Sequence, residues 1–233
     1  MKNKIIKLIK ICVIMLIIMA LSSCGSNKID KKTANKKQKI IRQEIREQHL
    51  DMLDFDLAKQ AFNYLNTLRS NPILISKGVN DYLTQKKEFN VLLPAYTLLE
   101  FADKVNDPEL KTLQNLEKRP LLTWDSMLAY AAECKVIDMV ERNYFSHVSP
   151  DGNPIEYWFL KIGGKMPAFS SFHECIGMEF HLSAGETAII SFIIDHGVKN
   201  KGHRKTILEP GLTKIGIGVC QIGVAHYICI MMQ

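Results

Sequence analysis

The run Ile215-Gly216-Ile217-Gly218-Val219-Cys220, followed after a glycine-containing turn by Ala225-His226-Tyr227-Ile228-Cys229-Ile230-Met231, decides the fold class. Both halves are apolar, rich in β-branched residues and bounded by turn formers, which reads as two paired strands. Upstream the pattern is mostly helical. Leu57, Ala61, Leu65 and Leu68 share one helical face, with Asp56 placed to cap it and Asn71-Pro72 to end it. The stretch 78–93 carries no decisive period. Pro94 opens a second helix through Val105, and Asp107-Pro108 opens a third that ends before Pro120. After Trp124-Asp125 a long helix runs to about Arg142, with Leu128, Ala132, Val136, Met139 and Val140 on its core face.

Residues 143–153 are loop formers, and a short helix from Pro154 to Ile162 stops at Gly163-Gly164. His173 to Met178 reads as another short strand. Ser183-Ala184-Gly185-Glu186 is a capping box that opens an apolar helix through about Ile194. Helices early and late around a small antiparallel sheet make an α+β domain, without the regular alternation of a doubly wound fold. Trp124 reads as core, and Tyr157 and Trp158 as packing beneath a cleft.

The chain has 233 residues, 47% of them apolar and 23% charged, an ordinary globular composition that excludes a mostly disordered protein. Its formal charge of +6 is unevenly placed. Residues 1–23 hold Lys2, Lys4, Lys7 and Lys10 and no acid, whereas 24–50 hold eight basic residues against Asp30, Glu44 and Glu47. The remainder, 51–233, is net acidic by three charges, so a nucleic-acid partner is not expected.

The lysine-rich start leads into an apolar run, Ile11 to Ala20, and then Leu21-Ser22-Ser23-Cys24. Ten helical residues rise about 15 Å, half of the ~30 Å hydrocarbon core, so this is a secretory signal and not a spanning helix. The Leu-Ser-Ser-Cys ending resembles a bacterial lipobox, which implies that Cys24 is acylated, with palmitate-like chains, and becomes the first residue of a membrane-anchored, extracytoplasmic lipoprotein. Several acyl chains hold such an anchor, each buried CH₂ adding about 0.8 kcal/mol. Gly25, in place of the Asp that commonly retains lipoproteins at an inner membrane, permits an outer-membrane or cell-surface location. The reading is therefore a signal peptide over 1–23, a lipidated Cys24 and basic flexible tether over 24–55, and one domain over 56–233.

Four further cysteines, Cys134, Cys175, Cys220 and Cys229, allow three disulfide pairings or four buried thiols, and the spacing does not choose. No nucleophile elbow, phosphate loop or zinc-protease helix is present. What stands out is a scatter of histidines and acids beside loop formers. These are His147, His173-Glu174, Asp195-His196 and His203-Arg204. Two imidazoles and two carboxylates brought together could ligate a divalent metal, or form a polar cluster bonded to itself.

At these residues the chain resembles the CAP superfamily, the cysteine-rich secretory, antigen 5 and pathogenesis-related-1 proteins, in its bacterial form. The matching pieces run in order. They are Leu122-Thr123-Trp124-Asp125-Ser126-Met127-Leu128 with Ala131-Ala132, Ser146-His147 with Asp151-Gly152, and Glu174 with Ile176-Gly177. Then come Ile194-Asp195-His196-Gly197-Val198, Gly202-His203-Arg204-Lys205-Thr206-Ile207-Leu208, Gly216-Ile217-Gly218 and the Cys229 strand. The resemblance covers about 56–233. It implies an α-β-α sandwich with a cleft lined by His147, His203, Glu174 and Asp195, and with His173, His196 and Arg204 as cleft neighbours. Asp195 stands where many members have Glu, His196 replaces an acid common in bacterial relatives, and Cys175 and Thr206 replace frequent Asn residues. Some members bind zinc or another divalent cation at the two histidines, and several bind sterols or fatty acids.

Two functions follow from these expectations. One is a membrane-tethered binding module for a lipid, host or envelope ligand. The other is a metal-dependent hydrolase, a protease or esterase, in which His147 and His203 hold the ion, Glu174 acts as base and Asp195 orients a histidine.

Overall fold

The computed structural model describes residues 49–90, 107–165, 172–180 and 185–233. The expected signal, Cys24, the tether up to residue 48, the helix from Pro94 to Val105 and the Ser183-Ala184 half of the capping box lie outside the described residues.

Helix α1 spans Phe55–Ser70, and the Asp54 side chain accepts from the Leu57 N–H at its start. Asp54, not Asp56, is thus the cap. Helix α2, Leu74–Asn90, occupies most of the stretch whose period was indecisive. Asp107 caps α3, Pro108–Thr112, through the Glu109 N–H, and a 3₁₀ turn over Leu113–Asn115 completes it. The third helix thus stops short of Pro120. Strand β1 is only Thr123–Trp124. The Asp125 carboxylate accepts from the N–H groups of Met127 and Leu128 to start α4, Ser126–Glu141. Then follow α5 (Ile155–Lys161), β2 (His173–Phe180), α6 (Gly185–Ile194), α7 (Gly202–Ile207), β3 (Lys214–Ile222) and β4 (Ala225–Met232).

The sheet order is β1-β3-β4-β2. The three long strands pair antiparallel, as expected, but β1 joins the edge of β3 in parallel, so the sheet is mixed. Two residues between Leu121-Leu122 and the start of a helix are too few to carry a strand period, which is why β1 is invisible in the sequence. Beyond β1 the same edge is covered by the entering chain. Leu53 bridges Cys220, the Gln221 N–H donates to the Met52 carbonyl and the Asp54 N–H to the Val219 carbonyl.

Strand alternation sorts the sheet into two buried faces. Ile215, Ile217, Val219, Ile228, Ile230, Met232 and Cys175 pack with α1, α2 and α6. Cys220, Cys229, Met231 and Ile176 pack with α4 and α5. This is the α-β-α sandwich.

Close approach on the second face depends on glycine. A Cβ on Gly216 would overlap the backbone of Leu128 and Ala129, and one on Gly218 the backbone of Ala132 and Glu133. The bare Gly-x-Gly strip lets α4 lie on β3 at backbone contact, so the Ala residues of α4 fill the seam. All four cysteines are buried and free. Burial pushes the Cys134 thiol up to about 12 and the Cys220 thiol to about 11, and raises Cys175 and Cys229 too.

Candidate functional site

Two loops and two element ends supply the site. His147 lies in the loop after α4, and Glu174 near the start of β2 points to the α4 side. The Glu174 side chain is buried, 4% exposed, whereas that of His147 is 57% exposed. The Glu174 carboxylate takes His147 Nδ1 at 2.7 Å through Oε2 and the Cys229 thiol at 3.5 Å through Oε1.

The other pair comes from the end of α6. Asp195 has φ of 51° in the left-handed region, a rare conformation that Asp tolerates better than most residues. This backbone turns the carboxylate inward, where it is fully buried. Oδ1 takes His203 Nδ1 at 2.8 Å, and Oδ2 accepts from the Arg204 N–H at 3.2 Å. Asn200 and Lys201, also left-handed, turn the chain back to start α7 with His203 in its first turn. The Lys201 ammonium holds this corner by donating to the Asp195 carbonyl at 3.0 Å.

The two imidazoles lie 6.4 Å apart between ring centroids, and Phe192 meets the His203 ring edge-on at 5.2 Å. A carboxylate only accepts, so each Nδ1 carries the hydrogen and each Nε2 edge is left as the working end of its ring. The structure therefore brings His147, Glu174, Asp195 and His203 into one place as two His–carboxylate pairs. His173 sits one residue from Glu174 on β2 and is partly buried, and His196 is exposed on the turn after Asp195. Arg204 is not a cleft neighbour, which corrects the expectation. Its guanidinium turns away to Asp107 at 2.7 Å, Glu109 at 2.8 Å and the carbonyls of Ile193 and Ile194, because a buried cation needs partners that the solvent-facing cleft lacks. It ties α3 to the end of α6.

Sequence reasoning missed Lys135. It stands mid-helix in α4, fully buried, and donates to the His147 carbonyl at 3.1 Å and the Tyr144 hydroxyl at 3.4 Å. Burial lowers its pKa, while the Glu174 charge opposes that shift. A lone Lys between Cys134 and Val136 on an apolar helix face was the available signal. Tyr144 in turn donates to Asp138 at 2.6 Å, and burial raises its hydroxyl pKa well above the ordinary value. Trp158 is buried near Lys135, as expected of packing under the cleft, while Trp124 is only partly buried and meets Phe62 edge-on.

Two imidazoles each fixed at Nδ1 by a carboxylate have the outer-shell arrangement of zinc ligands. Catalytic zinc takes three protein ligands, however, and among the described residues no group of three or more His, Cys, Asp or Glu is placed to hold an ion. Among the described residues the donor set thus falls short of the three protein ligands of a catalytic zinc centre.

The model of the cysteine-rich secretory protein family (CAP) matches residues 62–232. An uncharacterized protein of Bacillus subtilis, YkwD, is 30% identical over 100 residues, 42% of this chain and 35% of that protein. The match thus spans about a third of the relative's length. Among solved structures, an extracellular SCP-domain protein of Bacillus anthracis is 25% identical, covering 52% of this chain and 36% of that one with a TM-score of 0.39. An outer surface protein of Borrelia burgdorferi is 14% identical, covering 59% of this chain and 92% of that one, with a TM-score of 0.40. With the family model matching well over half of its length, the chain belongs to the cysteine-rich secretory protein (CAP) family.

Proposed function

We propose that this chain is an extracytoplasmic CAP-domain lipoprotein, held to a bacterial membrane by an acylated Cys24, whose domain binds a lipid, host or envelope ligand without turning it over. The observation that carries the reading is the pairing itself. Both histidines are fastened from behind by buried carboxylates, and no activated nucleophile stands beside them among the described residues. The cysteines are buried with raised thiols, and the Ser146 hydroxyl accepts from the Val148 N–H at 3.3 Å. A rigid pair of Nε2 edges recognises a polar group well, since little side-chain freedom is lost on contact. Among the described residues no helix is long and apolar enough to cross a membrane.

The test has two arms on the full chain. Labelled palmitate fed to the expressing cells is incorporated into the wild type and not into Cys24→Ala. The detergent-solubilised protein, with and without added zinc, gives no turnover of a peptide and ester panel above buffer. Turnover that disappears in His147→Ala/His203→Ala would establish the hydrolase instead, and label retained in Cys24→Ala would remove the anchor.

A further inference from the structure

We propose that the tip of the β3–β4 hairpin is a membrane-contacting wedge that seats the domain on the bilayer surface; this rests on the lipoprotein reading. The tip, Gln221-Ile222-Gly223-Val224-Ala225, is apolar where an exposed turn is ordinarily polar. Ile222 is 47% and Val224 50% exposed, with Gly223 supplying the left-handed turn at φ 59°. Alternation places Ile222, Ala225 and Tyr227 on the α4 face of the sheet together with Met178, which lies opposite Tyr227 in the register and is 40% exposed. Phe145, 47% exposed, meets Tyr227 edge-on at 6.4 Å.

This apolar end is uncovered because the helix above it stops. Gly216 lies under Ala129 and Gly218 under Ala132, so α4 runs along β3 toward the hairpin. At 1.5 Å per helical residue against about 3.3 Å per strand residue, its last turn ends about level with Gln221. At this end Ile222, Val224, Met178 and Phe145 each remain 40–50% exposed. The whole stretch from Ile215 to Gln233 contains no Asp, Glu, Lys or Arg, so the hairpin itself brings no charged side chain to the headgroup region.

The path of the chain selects a bilayer as the occupant. The chain leading from Cys24 enters the fold at this same end. Met52 bonds to Gln221, His49 bonds to Glu141 at the end of α4 at 2.7 Å, and Leu50 there is 47% exposed. Cys24 and His49 are 25 positions apart in the sequence, so the anchor of the proposed lipoprotein is joined to the fold at the hairpin end. The basic residues of that segment add attraction to anionic lipid. A wedge of this size sinks about 5–10 Å, with Tyr227 and Phe145 at the headgroup level. Glu174 lies four strand residues, about 13 Å, from Met178, so the histidine pair stays in solvent while the tip is seated.

The experiment places an environment-sensitive dye on Val224→Cys or on Leu121→Cys in the full chain. Leu121 is 60% exposed beside β1, at the opposite end of the sheet. Quenching by brominated lipid in phosphatidylcholine–phosphatidylglycerol vesicles is read for each. The wedge predicts several-fold stronger quenching at 224 than at 121, abolished by Ile222→Asp with the dye still at 224. Equal quenching at both sites overturns it. So does dimerisation through the tip that shields position 224 from the quencher, which assigns the face to a second copy. Palmitate labelling is read separately. Label without preferential quenching sinks the wedge and keeps the anchor, whereas quenching without label keeps the wedge and sinks the anchor.

Discussion

Asp195 reaches His203 because its own backbone is left-handed: from φ of 51° the short carboxylate lies 2.8 Å from His203 Nδ1. The family resemblance implies Glu at this position, and the left-handed turn aims the shorter Asp carboxylate at the ring. The same carboxylate accepts from the Arg204 N–H, so one buried group organises both the histidine and the start of α7.

Asp195→Asn isolates that charge, since Asn also tolerates a left-handed backbone. The buried charged hydrogen bonds are worth about 2 kcal/mol, so urea denaturation should show a loss of that order with the fold retained. A variant as stable as the wild type contradicts the pairing.

Gly216→Ala tests the seam between α4 and β3. The added methyl has backbone on the other side and no flexible neighbour to move, so the cost is about 3 kcal/mol or more. A denaturation midpoint unchanged from wild type shows that α4 does not lie on Gly216.

The Asp107–Arg204 pair sets an acid limit. Burial pushes the Asp107 carboxyl up, but the Arg204 guanidinium and the Glu109 N–H outweigh it and hold the group below its ordinary value. A folded pKa below the unfolded one gives stability that is complete above the ordinary carboxylate pKa of about 3.9 and lost as pH falls through the folded value. The stability gap between wild type and Asp107→Asn is therefore full at neutral pH and closes below about pH 4. A gap that persists at about pH 2, below the usual carboxylate range, contradicts this pairing.

Lys135→Met removes the donor to the His147 carbonyl while keeping the apolar stem. Losing one hydrogen bond of about 1.4 kcal/mol speeds amide exchange in the loop after α4 about tenfold. Exchange rates unchanged across residues 145–149 indicate that the loop is held by something else.

The fold was legible where period and turn chemistry agree. The Ile215–Cys220 and Ala225–Met231 runs are found as β3 and β4, and the Leu57–Leu68 face as α1. Strand β1 was not legible, because two residues pair only through a neighbour 91 positions away, Thr123 with Lys214. Of the site, the histidines and acids stood out as residues beside loop formers, but their meeting depends on turns at Asp195, Asn200 and Lys201 that no side-chain pattern announces. Arg204 and Lys135 exchange the roles their positions advertise. Arg204 follows a cleft histidine in sequence yet holds helices together, whereas Lys135 sits within a core pattern and holds the His147 loop.

The most direct test of the two-pair site is the imidazole nitrogen NMR spectrum of the full chain with ring-to-ring proton contacts. Both His147 and His203 should carry hydrogen on Nδ1, show a proton contact between their rings, and lose the Nδ1 hydrogen bond separately in Glu174→Leu and Asp195→Ala, which remove the accepting oxygen. Hydrogen on Nε2 at both rings, or rings with no mutual contact, would contradict the site.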